Sequence, residues 1–351
     1  MSRFSAFLFV LFVTALISCN NEAKGPDVSG IKINLEVKRF DRDFFAIDSN
    51  HAKEGLEKLL PAYPSFLPIF TGHVLGLGNF GDSNTLLYTG TKRFLSLNQR
   101  VYDTAQIVFK STTDLKDALV NGFQHVKYYF PGYQVPVNIY TTVGPMDALA
   151  PMSNNEPSPN YMGADFLAIG LQFYLGKDYS IYNDPDYAAG IVPQFRSRRF
   201  SKEYIASDVF RLVLDDLFPD NSSRLPLIEK FVEKGKRVAV LKMILPSAPD
   251  SIITGYTNEQ LNWCEENERS ILNFFTQQNL LYEIDPSLTQ NYINDGPFTQ
   301  GMPQESPGNI GLFLGWQIVK AYMKKHPETT PAQLMKLPAK EIFNASTYKP
   351  R

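Results

Sequence analysis

The stretch "SKEYIASDVFRLVLDDLF", residues 201–218, decides how the rest of the chain is read. Its apolar residues Ile205, Val209, Phe210, Val213, Leu214 and Leu217 recur at spacings of three and four, which places them on one face of an α-helix. Polar Ser207, Asp208 and Arg211 fall on other faces of the same helix. Residues 225–245 and 261–277 carry similar patterns. Thr257 with Gln260 has the spacing of a capping box before the 261–277 segment. Thr330 with Gln333 repeats it, with Pro331 at the first helical position. The C-terminal half is therefore predicted to be mostly helical.

Toward the N-terminus the pattern changes. "IKINLEVK", residues 31–38, alternates apolar and polar side chains with period two and reads as a half-buried strand. "VPVNIYTTV", residues 135–143, alternates in the same way, and residues 164–176 read as a buried strand of helix-compatible length. Between them, residues 51–60, 84–97 and 114–130 are helical, although Gly90 interrupts the second and Pro131-Gly132 stops the third. Residues 147–163, rich in Pro, Ser and Asn, read as a loop and as the best candidate for a mobile insertion. Gly311 and Gly315, four apart in "GNIGLFLGWQIVKAYM", predict a helix face approached closely by another backbone, with Trp316, Ile318, Val319 and Tyr322 in the core. A few strands among many helices, with no internal repeat, make an α+β fold in one globular domain over 31–351.

The first eighteen residues are different in kind. Arg3 precedes the apolar run "FSAFLFVLFVTALIS", which is shorter than the roughly 20 residues of a membrane span and ends in small residues. This is the form of a secretory signal over 1–18. "LISC" resembles a bacterial lipobox, in which the cysteine, here Cys19, becomes the lipid-modified first residue. Residues 19–30 then form a polar tether between lipid and domain. The implied partner is membrane lipid, through acylated Cys19. Formal net charge is −2, without the basic excess of a nucleic-acid binder, so no nucleic-acid partner is expected. The 351 residues contain two cysteines; once Cys19 is acylated, Cys264 has nothing to pair with inside the chain.

Familiar catalytic patterns are missing from the sequence. The four histidines, His51, His73, His125 and His326, give no HExxH pair, and there is no G-x-S-x-G elbow. "GLGNFG", residues 76–81, has G-x-G-x-x-G spacing but does not join a clear strand to a helix, so it is a weak nucleotide motif. Asp103-Thr104-Ala105 and Asp250-Ser251-Ile252 resemble bacterial O-glycosylation sites, a motif short enough to arise by chance.

Four segments carry a wider resemblance: "IGLQFYLGKDYSIY" (169–182), "EKGKRVAVLKMILPSAPDSIITGYTNEQLNWCEENE" (233–268), "ESPGNIGLFLGWQIVKAYM" (305–323) and "STYKPR" (346–351). Together they resemble the gliding-motility lipoprotein GldB family of Bacteroidetes bacteria over nearly the whole mature chain. The resemblance implies a cell-envelope protein, lipid-anchored and facing the periplasm, that supports gliding and associated protein secretion. Its implied partners are envelope proteins of that machinery. Where the family pattern places a basic residue after Ser-Pro-Gly, this chain has Asn309.

The family in turn resembles, remotely, gluzincin-type zinc peptidases, which implies a mostly helical, zincin-like domain with a small sheet. In the slot matching HExxH, Ser207 and Arg211 replace the histidines and Asp208 the general base, while Glu233 stands where the third ligand would be. The resemblance thus implies a degenerate site at Ser207, Asp208, Arg211 and Glu233, without metal or other cofactor. An Arg211–Glu233 ion pair is expected to replace the ion; the alternative is an ordinary helix face with Glu233 paired to Arg237. Ser306, Gly308 and Asn309 form the entry to the next helix and are candidates for a pocket loop. The resulting expectation is a non-catalytic binding or scaffold protein. The competing reading is an envelope hydrolase with a non-zinc centre around Asp208, Arg211, Glu233 and the Ser306 loop.

Overall fold

A computed structural model describes residues 25–80, 84–154 and 156–350 of the protein. The expected signal segment, Cys19 and the first part of the tether lie outside the described residues. The architecture is α+β and mostly helical. Its main sheet has four strands: Glu36–Lys38, Asn138–Thr142 and Phe166–Gly170 run parallel in that order, and Asn160–Met162 pairs antiparallel with the last. A two-stranded ribbon joins Ala150–Pro151 to Pro157–Ser158.

Parallel neighbours need a crossover connection. Between the first two strands the chain makes a helical excursion through Phe40–Phe45, Ala52–Leu59, Phe66–Ile69, Thr85–Val108 and Thr113–Tyr129. The sheet separates two apolar clusters, because alternate side chains of a strand point to opposite faces. Ile139, Leu167 and Ile169 join the larger one, with the C-terminal helices. Tyr140, Phe166 and Ala168 join the smaller one. There Phe40 meets the rings of Phe44, Tyr63, Phe66 and Phe70 at centroid distances of 4.7–5.3 Å, mostly edge to face.

Several elements differ from the sequence reading for identifiable reasons. The 31–38 strand shrinks to Glu36–Lys38, because only there is a partner strand opposite. Leu35 is still buried, as its phase predicts. The helix over 84–97 continues to Val108 and passes through Gly90, whose bare face is covered by the Leu77 side chain. The 261–277 segment becomes two helices, Asn258–Glu266 and Glu268–Gln277, parted at Asn267, whose amide donates to the Trp263 carbonyl at 2.8 Å. The 147–163 segment holds the ribbon and one sheet strand, so it is not simply a loop. Both capping boxes form.

Two helices, Leu227–Ile244 and Ile310–Lys325, form the centre of the larger cluster. The close approach expected at Gly311 and Gly315 is present. A β-carbon at Gly315 would run into the Phe231 carbonyl, one at Gly311 into the Phe231 ring, and one at Gly235 into the Gly315 backbone. The helix cost of these glycines is offset by close packing, backbone against backbone at Gly235 and Gly315 and backbone against the Phe231 ring at Gly311.

Candidate functional site

The Ile205–Leu217 helix buries Val209, Phe210, Val213 and Leu214 in the core, which fixes where its polar residues point. Ser207 turns into the protein and donates to the Ile252 carbonyl at 3.0 Å. Asp208 and Arg211, one turn apart, line a cleft of about 60 Å³. The other charged residues in its wall come from distant parts of the chain: Glu156 from the ribbon, Arg196 and Arg199 from the segment before the helix, and Asp295.

The charges are held in a definite pattern. Asp295 accepts from Arg199 Nη2 at 2.5 Å, and Arg196 Nη2 lies 3.5 Å from the same oxygen. Burial pushes the Asp295 carboxyl up, but the two guanidiniums outweigh it and hold the group well below the usual carboxylate range. Glu156 pairs with Lys234 at 2.9 Å, and the ammonium likewise outweighs burial and lowers its pKa. Asp208 behaves oppositely. Burial raises its carboxyl, and the more distant Arg211 and Arg199 do not reverse the shift. Its Oδ2 accepts from the Tyr174 hydroxyl at 3.0 Å, and that hydroxyl accepts from Asn160 Nδ2 at 2.8 Å. Arg211 Nη2 donates to the Ile253 carbonyl at 2.5 Å.

The expected Arg211–Glu233 clasp is not formed. Glu233 pairs with Lys236 at 2.7 Å on its own helix, and burial raises its carboxyl despite that ammonium. The Glu233–Arg237 alternative does not form either. Arg237 lies 3.6 Å from Asp215 and donates to the Phe218 carbonyl. The physical reason is local. Ile253 lies in the last turn of the Asp250–Thr254 helix, where carbonyls lack intrahelical partners, and Arg211 satisfies one of them. Lys236 reaches Glu233 from one helical turn away and also donates to the Met335 and Leu337 carbonyls, at 3.2 and 3.0 Å.

Ser306, Gly308 and Asn309 are buried and do not line the cleft. They brace the segment that carries Asp295. Ser306 Oγ accepts from the Thr299 amide at 3.1 Å, Thr299 Oγ1 donates to the Pro307 carbonyl at 2.6 Å, and Gly308 lies against the Gly296 backbone. Asn309 takes a left-handed conformation (φ 58°), one that asparagine tolerates better than most residues, and its carbonyl accepts from the Tyr256 hydroxyl at 2.7 Å.

Sequence reasoning missed Glu156, Arg196, Arg199, Lys234 and Asp295. The only local signal was the basic run Arg196-Ser197-Arg198-Arg199. Among the described residues, no group of three or more His, Cys, Asp or Glu side chains is arranged to hold a metal ion. The Cys264 thiol is buried, and burial pushes its pKa up, away from reactive thiolate. The weak nucleotide motif stays in a loop after Phe70–Val74, with Gly81 outside the described residues.

The sequence profile of the family described as gliding motility protein GldB matches residues 21–350, nearly the whole chain. The chain belongs to the GldB family. Its membership carries a role in gliding motility. No curated protein matches the chain, and no solved structure does. No helix among the described residues of this GldB-family protein is long and apolar enough to cross a membrane.

Proposed function

We propose that this GldB-family protein is a lipid-anchored, periplasm-facing component of the gliding and associated secretion apparatus, and that it acts by binding envelope proteins without catalysis. Cys19, at the end of a signal-like apolar run, supports the anchor. The observation that carries the non-catalytic reading is the state of the cleft. Glu156 and Asp295, which would otherwise be candidate bases, are bound to Lys234, Arg199 and Arg196. Ser158, the hydroxyl residue in the wall, donates to the Asn160 carbonyl at 2.8 Å, and among the described residues no carboxylate or imidazole is hydrogen-bonded to it. Of the peptidase-like slot read from the sequence, Asp208 and Arg211 line the cleft, whereas Ser207 and Glu233 are not among its lining residues.

One observation favours the hydrolase alternative: Asp208 has a raised carboxyl pKa and lies at the cleft wall, as a general acid would. The two readings separate on substitution of that residue.

The anchor and the partners are tested together in native membranes. Wild-type protein is expected to incorporate a fatty-acid analogue, to fractionate with membranes and to crosslink to envelope proteins of the gliding or secretion machinery. Cys19→Ala protein is expected to remain unprocessed and unlabelled. Label persisting in Cys19→Ala protein would overturn the lipid anchor, and wild-type protein crosslinking to none of that machinery would overturn the binding role.

A further inference from the structure

We infer that the cleft bounded by Asp208 and Arg211 on the Ile205–Leu217 helix and by the Arg196–Arg199–Asp295 cluster binds one small oxyanion, a carboxylate or phosphate group. This goes beyond the scaffold reading and does not depend on it.

Four cations surround the cleft: Arg196, Arg199 and Arg211 in its wall, and Lys234 behind Glu156. Lys234 and Glu156 neutralise each other. Arg196 and Arg199 share a single carboxylate oxygen of Asp295, which leaves one positive charge uncompensated. Arg211 makes no ion pair among the described residues, and its one hydrogen bond there goes to a neutral carbonyl. Asp208, one turn away on the same helix, makes no ion pair with it among the described residues; its Oδ2 accepts from the Tyr174 hydroxyl, and burial raises its carboxyl pKa. The cleft therefore holds an excess of one to two positive charges in partly buried surroundings, where uncompensated charge is costly. An anion of one or two charges would remove that cost.

Geometry points the same way. A guanidinium presents a planar fork of donors matched to the paired oxygens of carboxylate and phosphate. Arg211 uses one nitrogen on Ile253 and retains further donors. The volume, about 60 Å³, is room for roughly four waters, so it suits a single head group and excludes a folded chain segment. Side-chain exposures of 20–23% for Arg196, Arg199 and Asp295 leave the cleft reachable from solvent. A cation is disfavoured by the charge excess, and Glu156 and Asp295 are already engaged.

Calorimetric titration of the full-length protein, purified in detergent, tests the site with two probes. Sodium phosphate and N-acetylglycine are each added at constant ionic strength, with sodium chloride as reference. Saturable one-to-one binding of at least one probe is expected. Binding of phosphate alone identifies a phosphorylated ligand, and binding of N-acetylglycine alone identifies a carboxylate such as a peptide C-terminus. Binding of both supports a site for either anion. Arg211→Gln should weaken binding roughly tenfold or more, the loss of a charge-assisted hydrogen bond. Arg196→Gln, the more distant partner of Asp295, provides a second variant should Arg211→Gln fail to fold. Absence of saturable binding by both probes, or affinity unchanged in every folded variant, would overturn the site.

Discussion

Asp295 shows how a single carboxylate can organise a site. Two guanidiniums lean on one of its oxygens, and its carboxyl is held below the ordinary range. Asp295→Asn should cost about 3 kcal/mol near neutral pH, the lower end for a broken buried pair because the group is one-fifth exposed. The pH dependence has a definite sign. A carboxyl whose folded pKa is depressed stabilises the fold fully above its unfolded value, near 4, and loses that contribution as pH falls through the folded value. Urea unfolding of wild type and Asp295→Asn between pH 7 and 3 should therefore give stabilities that converge toward acid. A constant gap across that range would contradict the assignment. Such a residue was not legible in the sequence. Asp295 sits in "NDGP", a turn-like string with no periodicity, and its partners are almost a hundred residues away. Asp208 and Arg211 were singled out by the resemblance of their helix to a peptidase metal slot, and the helix periodicity only kept them off its apolar stripe. The Glu233 contact was misread because sequence spacing weighed a distant arginine and Arg237 but not the lysine at i+3, which reaches it first.

At the scale of elements, the packing of Leu227–Ile244 on Ile310–Lys325 depends on missing side chains. In an exposed helix, glycine to alanine gains about 1 kcal/mol. At Gly315 the sign should invert, since the new methyl would occupy the place of the Phe231 carbonyl. Gly315→Ala should destabilise by about 3 kcal/mol or more, read as a lower urea midpoint with unchanged slope. A midpoint equal to or above wild type would show that the helices are not held this closely. Helices and their caps were readable because periodicity and capping are local; the spacing of Gly311 and Gly315 also exposed the contact face, though not its partner Gly235. Strand lengths were less readable. Alternation in 31–38 correctly marked Leu35 as inward, but a strand extends only where a neighbour runs beside it, and the register with 138–142 is a long-range fact. The Pro- and Ser-rich stretch 147–163 concealed an edge strand for the same reason: Asn160–Met162 is made a strand by Phe166–Gly170.

Across the whole molecule, the small sheet divides an aromatic cluster on one side from the large helical core on the other. Next to that core lies the charged cleft, framed by the ribbon, the Ile205–Leu217 helix and the Asp295 turn. On the proposed function, this GldB-family chain is a binding body tethered through Cys19, and its cleft holds charge in place without doing chemistry. Asp208 is where that account is most exposed, because it alone among the cleft carboxyls has the raised pKa a general acid needs. Asp208→Asn keeps the size of the side chain and an acceptor for the Tyr174 hydroxyl while abolishing proton transfer. The deciding measurement is gliding speed of a host whose own copy is deleted and which expresses Asp208→Asn protein at the wild-type level. The account predicts speed restored to that of the wild-type gene. Loss of gliding, with the variant folded, membrane-associated, as abundant as wild type and binding phosphate or N-acetylglycine as wild type does, would contradict it and favour a hydrolase.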